Sequence, residues 1–348
     1  MIPMKIAAFL AFCLLSTAML PTSLAAKLGL GLLAVVVAIV FKHFSPRERL
    51  PIDNKSVLVT GCDTGFGLAL AKHLHSLGFF VYAGCLLKNA GGNGAKELED
   101  IDPDRLVVLQ LDVTSDQQVQ EAVKFILETL SDRKQGLWAV VNNAGVSSFG
   151  EVEWCTMDKY KFIYDVNVHG MIRVTKAVLP LIRKAKGRVI NMASGISRHG
   201  APSRSLYCTS KFAVQGFSDC LRYEMHRWGV HVSIIEPGNF VAATGILTEA
   251  FIDKTARELW DGMPSNVQSE YGREYFDTAM HTIRSYCSAA DGKTEMAPVI
   301  DAYTDAIISK RPKIRYYAMD LYWNIRRLAF THLPERISDR LYYGIKYQ

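Results

Sequence analysis

From Pro51 onward, short β-branched runs alternate with longer stretches of helical period, the pattern of βαβ units and a parallel sheet. Apolar runs at 56–60 (SVLVT), 79–83 (FFVYA), 106–110 (LVVLQ), 137–141 (LWAVV), 187–191 (GRVIN) and 231–235 (HVSII) predict six strands. With helices between them, they predict an α/β fold built on a doubly wound parallel sheet. After Thr244 the alternation fades into charged helical sequence, an insertion of the kind that closes over a ligand. Near the end, MDLYWNIRRLAF places Leu321, Tyr322, Ile325, Leu328 and Ala329 on one helical face, with Arg326 and Arg327 beside it. That face predicts a helix lying on a membrane surface or one packed on the domain core.

Residues 6–41 follow neither period. Two apolar stretches flank Lys27, and no acid precedes Glu48. A bilayer core needs about 20 apolar residues in a helix, so the first stretch is long enough alone and the second needs its flanks. The expected organisation is a membrane-anchoring or targeting segment at 1–50, a main domain at 51–310 with a lid region after 244, and a C-terminal extension at 311–348 that is a candidate for membrane-surface contact. A cleaved secretory signal competes for the N-terminus, because Lys5 precedes an apolar run and SLAA resembles a cleavage site. A mitochondrial presequence would be arginine-rich, whereas the first arginine here is Arg47. Lys42, His43, Arg47 and Arg49 would hold the following domain on the cytoplasmic or matrix side.

Composition narrows the function classes. The 348 residues are 49% hydrophobic, enough for a large core, and the formal net charge is only +6. No arginine run or metal-spaced Cys/His set points to nucleic acid or to a metal. The seven cysteines, Cys13, Cys62, Cys85, Cys155, Cys208, Cys220 and Cys287, are odd in number and lack C-x-x-C spacing, which fits a reducing compartment.

The first strand runs into TGCDTGFG, Thr60 to Gly67, and then into a helical stretch. Glycine is required where a backbone turns tightly and approaches a pyrophosphate, whose charge the next helix N-terminus favours. Thr60, Gly61, Asp63, Gly65, Phe66 and Gly67 are therefore the candidate dinucleotide contacts of this loop, against the plainer reading of glycines in an ordinary turn. The second strand ends in VYAGCLL, with neither an acid for a ribose hydroxyl nor a base for a 2′-phosphate, and the loop holds Asp63 but no Lys or Arg. This leans towards NAD over NADP, with Lys88 as the nearby residue that opposes it. Asp112 is a candidate acceptor for the adenine amino group or a helix N-cap. Asn143, Ala144 and Gly145, in VNNAG, end the fourth strand with small residues where a ring can lie on backbone.

The chemistry concentrates in SLYCTSK, Ser205 to Lys211. A phenol with an ordinary pKa near 10 is a poor base, but a cation nearby stabilises its phenolate, and residues four apart on a helix share a face. Lys211 can thus assist Tyr207. Ser194 follows the fifth strand at its C-terminal end, where open α/β sheets bind ligands, and its hydroxyl can hold a substrate oxygen. Arg198 and Arg204, between Ser194 and Tyr207, are candidate cations for an acidic substrate, although loop arginines are more often solvated; the same applies to His199. Phe149, Trp154, Phe240, Phe251 and Trp260 are available for an apolar pocket or for the core.

Together TGCDTGFG, VNNAG, Asn167 in DVNVHG, Ser194 in NMASG, YCTSK and EPGNF resemble the short-chain dehydrogenase/reductase superfamily over about residues 55–244. The resemblance implies a Rossmann-type domain, an NAD(P) cofactor, an alcohol or ketone substrate and usually a homo-oligomer. It implies a catalytic tetrad of Asn167, Ser194, Tyr207 and Lys211, in which Tyr207 exchanges the alcohol proton, Lys211 also binds the nicotinamide ribose, Ser194 positions the substrate oxygen and Asn167 holds a water. Pro237 and Gly238 fall in its cofactor turn. Ala242 stands where relatives often have threonine, which leaves nicotinamide contacts to Thr244 or backbone.

A narrower similarity, in GCDTGFGLALAKHLH, VYAGCL and FSDCLRYEM, is to the branch of retinol, 17β-hydroxysteroid and hydroxybutyrate dehydrogenases. FGEVEW, AAT after EPGNF, and MDLYW…THLPERISD look most like its hydroxybutyrate members. That likeness implies NAD, 3-hydroxybutyrate and acetoacetate as substrates, and a phospholipid-associated location at the mitochondrial inner membrane. A retinoid or hydroxysteroid substrate, an endoplasmic reticulum membrane, and a non-catalytic dinucleotide-binding membrane protein are the alternatives.

Overall fold

The computed structural model describes residues 48–132, 136–288 and 295–345, together with residues 26, 29–35 and 37. The chain divides into two units, Met1–Glu48 and Arg49–Gln348. In the first, residues 29–35 are helical. Apart from residues 26 and 37, the rest of the apolar stretch at 6–41 and the flanking Lys42, His43 and Arg47 lie outside the described residues, as does Cys13. No helix among the described residues is long and apolar enough to cross a membrane.

The second unit is built on seven parallel strands: β1 (Ser56–Thr60), β2 (Phe80–Cys85), β3 (Leu106–Gln110), β4 (Leu137–Asn142), β5 (Arg188–Met192), β6 (His231–Pro237) and β7 (Arg315–Ala318). Their spatial order is β3-β2-β1-β4-β5-β6-β7. The order reverses between β1 and β4, whose register pairs Val59 with Val141, and an open α/β sheet binds ligands at such a switch point. All six expected strands form. β7 is an addition. It pairs with β6 through Ile234↔Arg315 and Pro237↔Ala318, so the sheet continues past the boundary expected at residue 310.

Helices cover both faces, which is why the strands read as continuous apolar runs. Along β1 the side chains alternate: Val57 and Val59 enter one core layer with Leu70 and Leu74 of α1 (Gly65–Ser76), and Leu58 enters the opposite layer. α2 (Asn93–Glu99) follows β2. α3 (Asp116–Asp132), α4 (Met157–Tyr164), α5 (Met171–Ala185) and α6 (Ser205–His226) come next. Ile126, Val178 and Leu221, from α3, α5 and α6, fill the layer that receives Leu58. Between α4 and α5, Asp165–Gly170 forms one turn of π-helix.

Beyond β6 lie α7 (Val241–Thr244), α8 (Glu249–Gly262), α9 (Ser265–Tyr271) and α10 (Arg273–Ser288). They share a separate small core in which Phe149, Trp154, Leu259 and Phe276 are buried. α11 (Ala297–Ile308) returns to the main core with Tyr303 and Ile307, and α12 (Leu321–His332) and α13 (Glu335–Tyr343) end the fold.

The amphipathic face expected near the end lies on α12. Leu321, Tyr322, Ile325 and Leu328 are exposed, and only Ala329 is buried. Core packing therefore does not account for this face.

Candidate active site

β1 leads straight into the glycine loop. Gly61 takes a φ of +70°, and a Cβ there would approach the Ala144 Cα to 2.8 Å, so the loop presses against the end of β4. A Cβ on Gly67 would collide with the Gly61 carbonyl oxygen, which is why α1 starts flush against the strand. Thr60 is buried, and its Oγ1 accepts from the backbone N–H groups of Asn143 and Ala144 at 3.1 and 3.0 Å, tying the ends of β1 and β4 together. Asn143 donates to the carbonyls of Thr60 and Gly61 at 2.9 and 3.2 Å. The first turn of α1 carries no acid, and its preceding Thr64 makes no side-chain cap. The positive end of this helix is thus left to an anion such as a diphosphate, so the residues present fit a dinucleotide.

The end of the cleft beside β2 and β3 has a distinct electrostatic character. Asp63 accepts from the backbone N–H groups of Leu86 and Leu87, both at 2.8 Å, holding the chain after β2 against the glycine loop. Asp112 closes a turn by accepting from the N–H and hydroxyl of Thr114 at 2.8 Å, rather than capping α3. Both acids border the cleft. Lys88 points elsewhere, donating to the Val108 carbonyl at 2.8 Å with Glu99 3.7 Å away.

At the other end, α6 brings Tyr207 and Lys211 onto one face, with the Lys211 Nζ 5.5 Å from the Tyr207 ring centroid. Lys211 is buried and donates to the carbonyl of Met192, the last residue of β5, at 3.0 Å. Burial brings its ammonium down to about 8. Ser194, two residues past β5, caps the short 3₁₀ turn Gly195–Arg198. Asn167 sits on the π-helical turn, a distortion common at functional sites. Its amide donates to the Val146 carbonyl and the Ser210 hydroxyl at 2.9 and 3.1 Å and accepts from the Val146 N–H at 2.8 Å. Ser210 in turn donates to the Tyr207 carbonyl at 2.8 Å.

One cleft of about 880 Å³ unites these features, a size within the range of small-molecule sites. Of the glycine-loop residues, Gly61, Asp63, Gly65 and Phe66 border it, while Thr60 and Gly67 stand behind the wall as supports. Asp112, Asn143, Ala144, Gly145 and the turn at Pro237 and Gly238 also border it, and Thr244 closes over Gly65. Ser194, Tyr207 and Lys211 line the reacting end, and Asn167 lies just behind them.

The two loop arginines part company. Arg204 lines the cleft and donates to Ser147 at 3.0 Å. Arg198 does not. It forms a two-pronged pair with the fully buried Glu236 at 2.9 and 3.2 Å. His199 is buried too, stacked on Phe330 with centroids 4.4 Å apart, and desolvation lowers its pKa to about 4, so it is neutral packing. Among the expected aromatics only Phe240 borders the cleft.

Sequence reasoning missed the far wall. Trp323 and Arg326 of α12 and Tyr343 of α13 reach the cleft, and Tyr275 and Ile283 of α10 form the lid side. Their one advance signal is the helical period itself, which does not say what a helix packs against.

Residues 55–254 match the short chain dehydrogenase family. The chain is 50% identical over 294 residues to the mitochondrial D-beta-hydroxybutyrate dehydrogenase of Bos taurus, covering 84% of this chain and 85% of that one. It is 40% identical over 292 residues to the 17-beta-hydroxysteroid dehydrogenase type 2 of Homo sapiens, covering 83% and 73%. A short chain dehydrogenase from Burkholderia cenocepacia J2315, solved in complex with NADP, shares the fold with a TM-score of 0.61 at 21% identity, covering 84% of this chain and 99% of that one. With the glycine loop, the tyrosine–lysine helix and the switch-point cleft in one place, the chain belongs to the short-chain dehydrogenase family and is an oxidoreductase that uses a nicotinamide dinucleotide.

Proposed function

We propose that the chain interconverts (R)-3-hydroxybutyrate and acetoacetate with NAD. The observation that carries this reading is the 50% identity to the Bos taurus hydroxybutyrate dehydrogenase over 84% of the chain. Arg204 in the cleft supports it, because a short hydroxy acid needs a cation for its carboxylate. NAD is favoured over NADP because Asp63 and Asp112 border the adenosine end while Lys88 is engaged with Val108 and Glu99, and a 2′-phosphate would meet negative charge.

Bound in the cleft, a nicotinamide dinucleotide supplies the hydride acceptor for the alcohol carbon. Tyr207 is the group that takes the hydroxyl proton. The Lys211 ammonium beside its ring favours the phenolate by charge attraction, an effect strengthened by burial. Ser194 holds the substrate oxygen. Asn167 steadies the loop after β4 and the first turns of α6, and holds a water in the proton path.

A retinoid or hydroxysteroid is the second reading, favoured by the apolar cleft residues Phe162, Phe240, Ile246 and Trp323 and by the 40% identity to the human steroid enzyme. A panel of 3-hydroxybutyrate, a 17β-hydroxysteroid and retinol, each with NAD and NADP, decides between them. Hydroxybutyrate turnover with NAD, abolished in Tyr207→Phe while NADH still binds, is the expected result. Steroid turnover with none on hydroxybutyrate would reverse the order.

A membrane-associated location and a homo-oligomer belong to the same reading. Leu321, Ile325 and Leu328 on α12, with Ile337 and Leu341 on α13, are all exposed, and Arg336 and Arg340 lie near them in sequence, a composition suited to an anionic phospholipid surface. The mitochondrial inner membrane is preferred over the endoplasmic reticulum because the hydroxybutyrate relatives are named mitochondrial. Flotation with phospholipid vesicles, reduced by Ile325→Asp, tests the surface, and sedimentation tests the assembly.

A further inference from the structure

We propose that Arg326, acting with Arg204, is the specificity-determining cation of the substrate end, where the two guanidinium groups receive a carboxylate carried by the alcohol. This rests on the oxidoreductase reading of the cleft and gives its hydroxy-acid preference a physical origin.

Both arginines border the cleft that holds Ser194 and Tyr207. Arg204 reaches it from the loop before α6, its guanidinium 5.2 Å from the Tyr207 ring. Arg326 reaches it from α12 and donates to the Tyr343 hydroxyl at 2.7 Å. Four rings surround the Arg326 guanidinium, those of Trp323, Phe330, Tyr342 and Tyr343, at 5.1 to 5.6 Å. Among the described residues neither arginine forms an ion pair. Arg198 shows the contrast, since Glu236 neutralises it.

A guanidinium drawn partly out of water without a carboxylate is a standing cost that an anionic ligand offsets, and its planar fork matches a carboxylate. The acids of the cleft do not meet this need. Asp63 and Asp112 are at the glycine-loop end, and Glu151 accepts from Tyr275 at 2.7 Å.

The position of Arg326 is fixed against the reacting loop. Phe330, one turn on, stacks on His199, and Tyr343 donates to the Gly200 carbonyl at 3.0 Å. Both contacts fall between Ser194 and Tyr207, so the C-terminal helices set the cation relative to the serine and tyrosine. The neutral His199 in that packing supplies no competing charge.

The test compares kcat/KM for 3-hydroxybutyrate with that for its neutral methyl ester, and measures malonate binding to the enzyme–NADH complex by nicotinamide fluorescence. R326Q and R204Q are each expected to lower the acid-to-ester ratio by about 10- to 100-fold, the loss of one charge-assisted contact, and to abolish malonate binding, while R326K loses less. An unchanged ratio in R326Q that still binds NADH overturns the proposal. If R326Q does not fold, R204Q carries the same expectation. Should the wild type oxidise no hydroxy acid, the hydroxybutyrate reading falls, and malonate binding lost in R326Q still supports the anion site; a wild type that binds no malonate overturns it.

Discussion

The Lys211 ammonium donates to the Met192 carbonyl at 3.0 Å, and Met192 ends the strand that Ser194 follows by two residues. One strand end therefore positions both Lys211 and Ser194, the cation and the hydroxyl of the proposed proton-transfer site.

The same burial predicts a pH signature. The folded Lys211 value of about 8 lies below its ordinary 10.5. Between those values the unfolded chain binds more protons, so this group's contribution to stability rises with pH across that window. Activity runs the other way, because the charge is lost as pH rises through about 8. The kcat/KM for the dinucleotide, which reports the free enzyme, should fall above about pH 8 with a one-proton slope, and Lys211→Arg should move that limb upward. A profile flat to about pH 9.5 would contradict the assignment.

Arg198 tests the distinction between a structural cation and a substrate cation. Its partner Glu236 is fully buried and also lies 3.5 Å from Arg315. Removing Arg198 costs Glu236 its two charge-assisted hydrogen bonds and leaves Arg315 as its one cation among the described residues, a loss of about 1–3 kcal/mol for a part-exposed partner. Arg198→Ala should lower the denaturation midpoint by that order while leaving the ratio of acid to ester turnover close to wild type. A selective rise in the KM of the acid, with stability unchanged, would return Arg198 to the substrate site.

Much of this arrangement was legible in the sequence because it is local. Six strands could be read from their apolar runs, and Tyr207 and Lys211 from helical spacing. β7 escaped because RYYA spans four residues at the sheet edge, with Tyr317 exposed and Lys313 and Pro312 just before it. Arg198 and Arg204 looked alike in one loop; only the fold shows that β6 brings Glu236 to the first and not to the second. Arg326 was invisible as a cleft residue, since it lies 119 positions beyond Tyr207 and helical period does not identify a packing partner.

The glycine loop gives a steric prediction. A Cβ at position 67 would meet the Gly61 carbonyl, which already accepts from Asn143 at 3.2 Å and is not free to swing away. Gly67→Ala should therefore destabilise the fold by about 1–3 kcal/mol, as overpacking does, and weaken dinucleotide binding by displacing the loop. Thermal denaturation and NADH titration of the variant measure the two effects, and wild-type values for both would show that the contact relaxes.

The cysteines supply a chemical one. Cys208 follows Tyr207, the proposed proton-exchanging residue, so alkylation there is expected to inhibit, but Cys208 is buried on α6 and burial raises its pKa. A thiolate is the attacking species, so both access and ionisation disfavour reaction there. Cys62, Cys85 and Cys287 are likewise buried with raised pKa values, and Cys155 is raised to about 11. Cys220 is exposed. Brief treatment with N-ethylmaleimide near neutral pH should thus label Cys220 well ahead of Cys208, with activity retained until Cys208 reacts. Mass spectrometry of labelled peptides, taken alongside residual activity, follows both sites. Complete activity with Cys208 modified would show that an adduct beside Tyr207 leaves the reacting end undisturbed, and early labelling of Cys208 would show that α6 opens where the fold holds it closed.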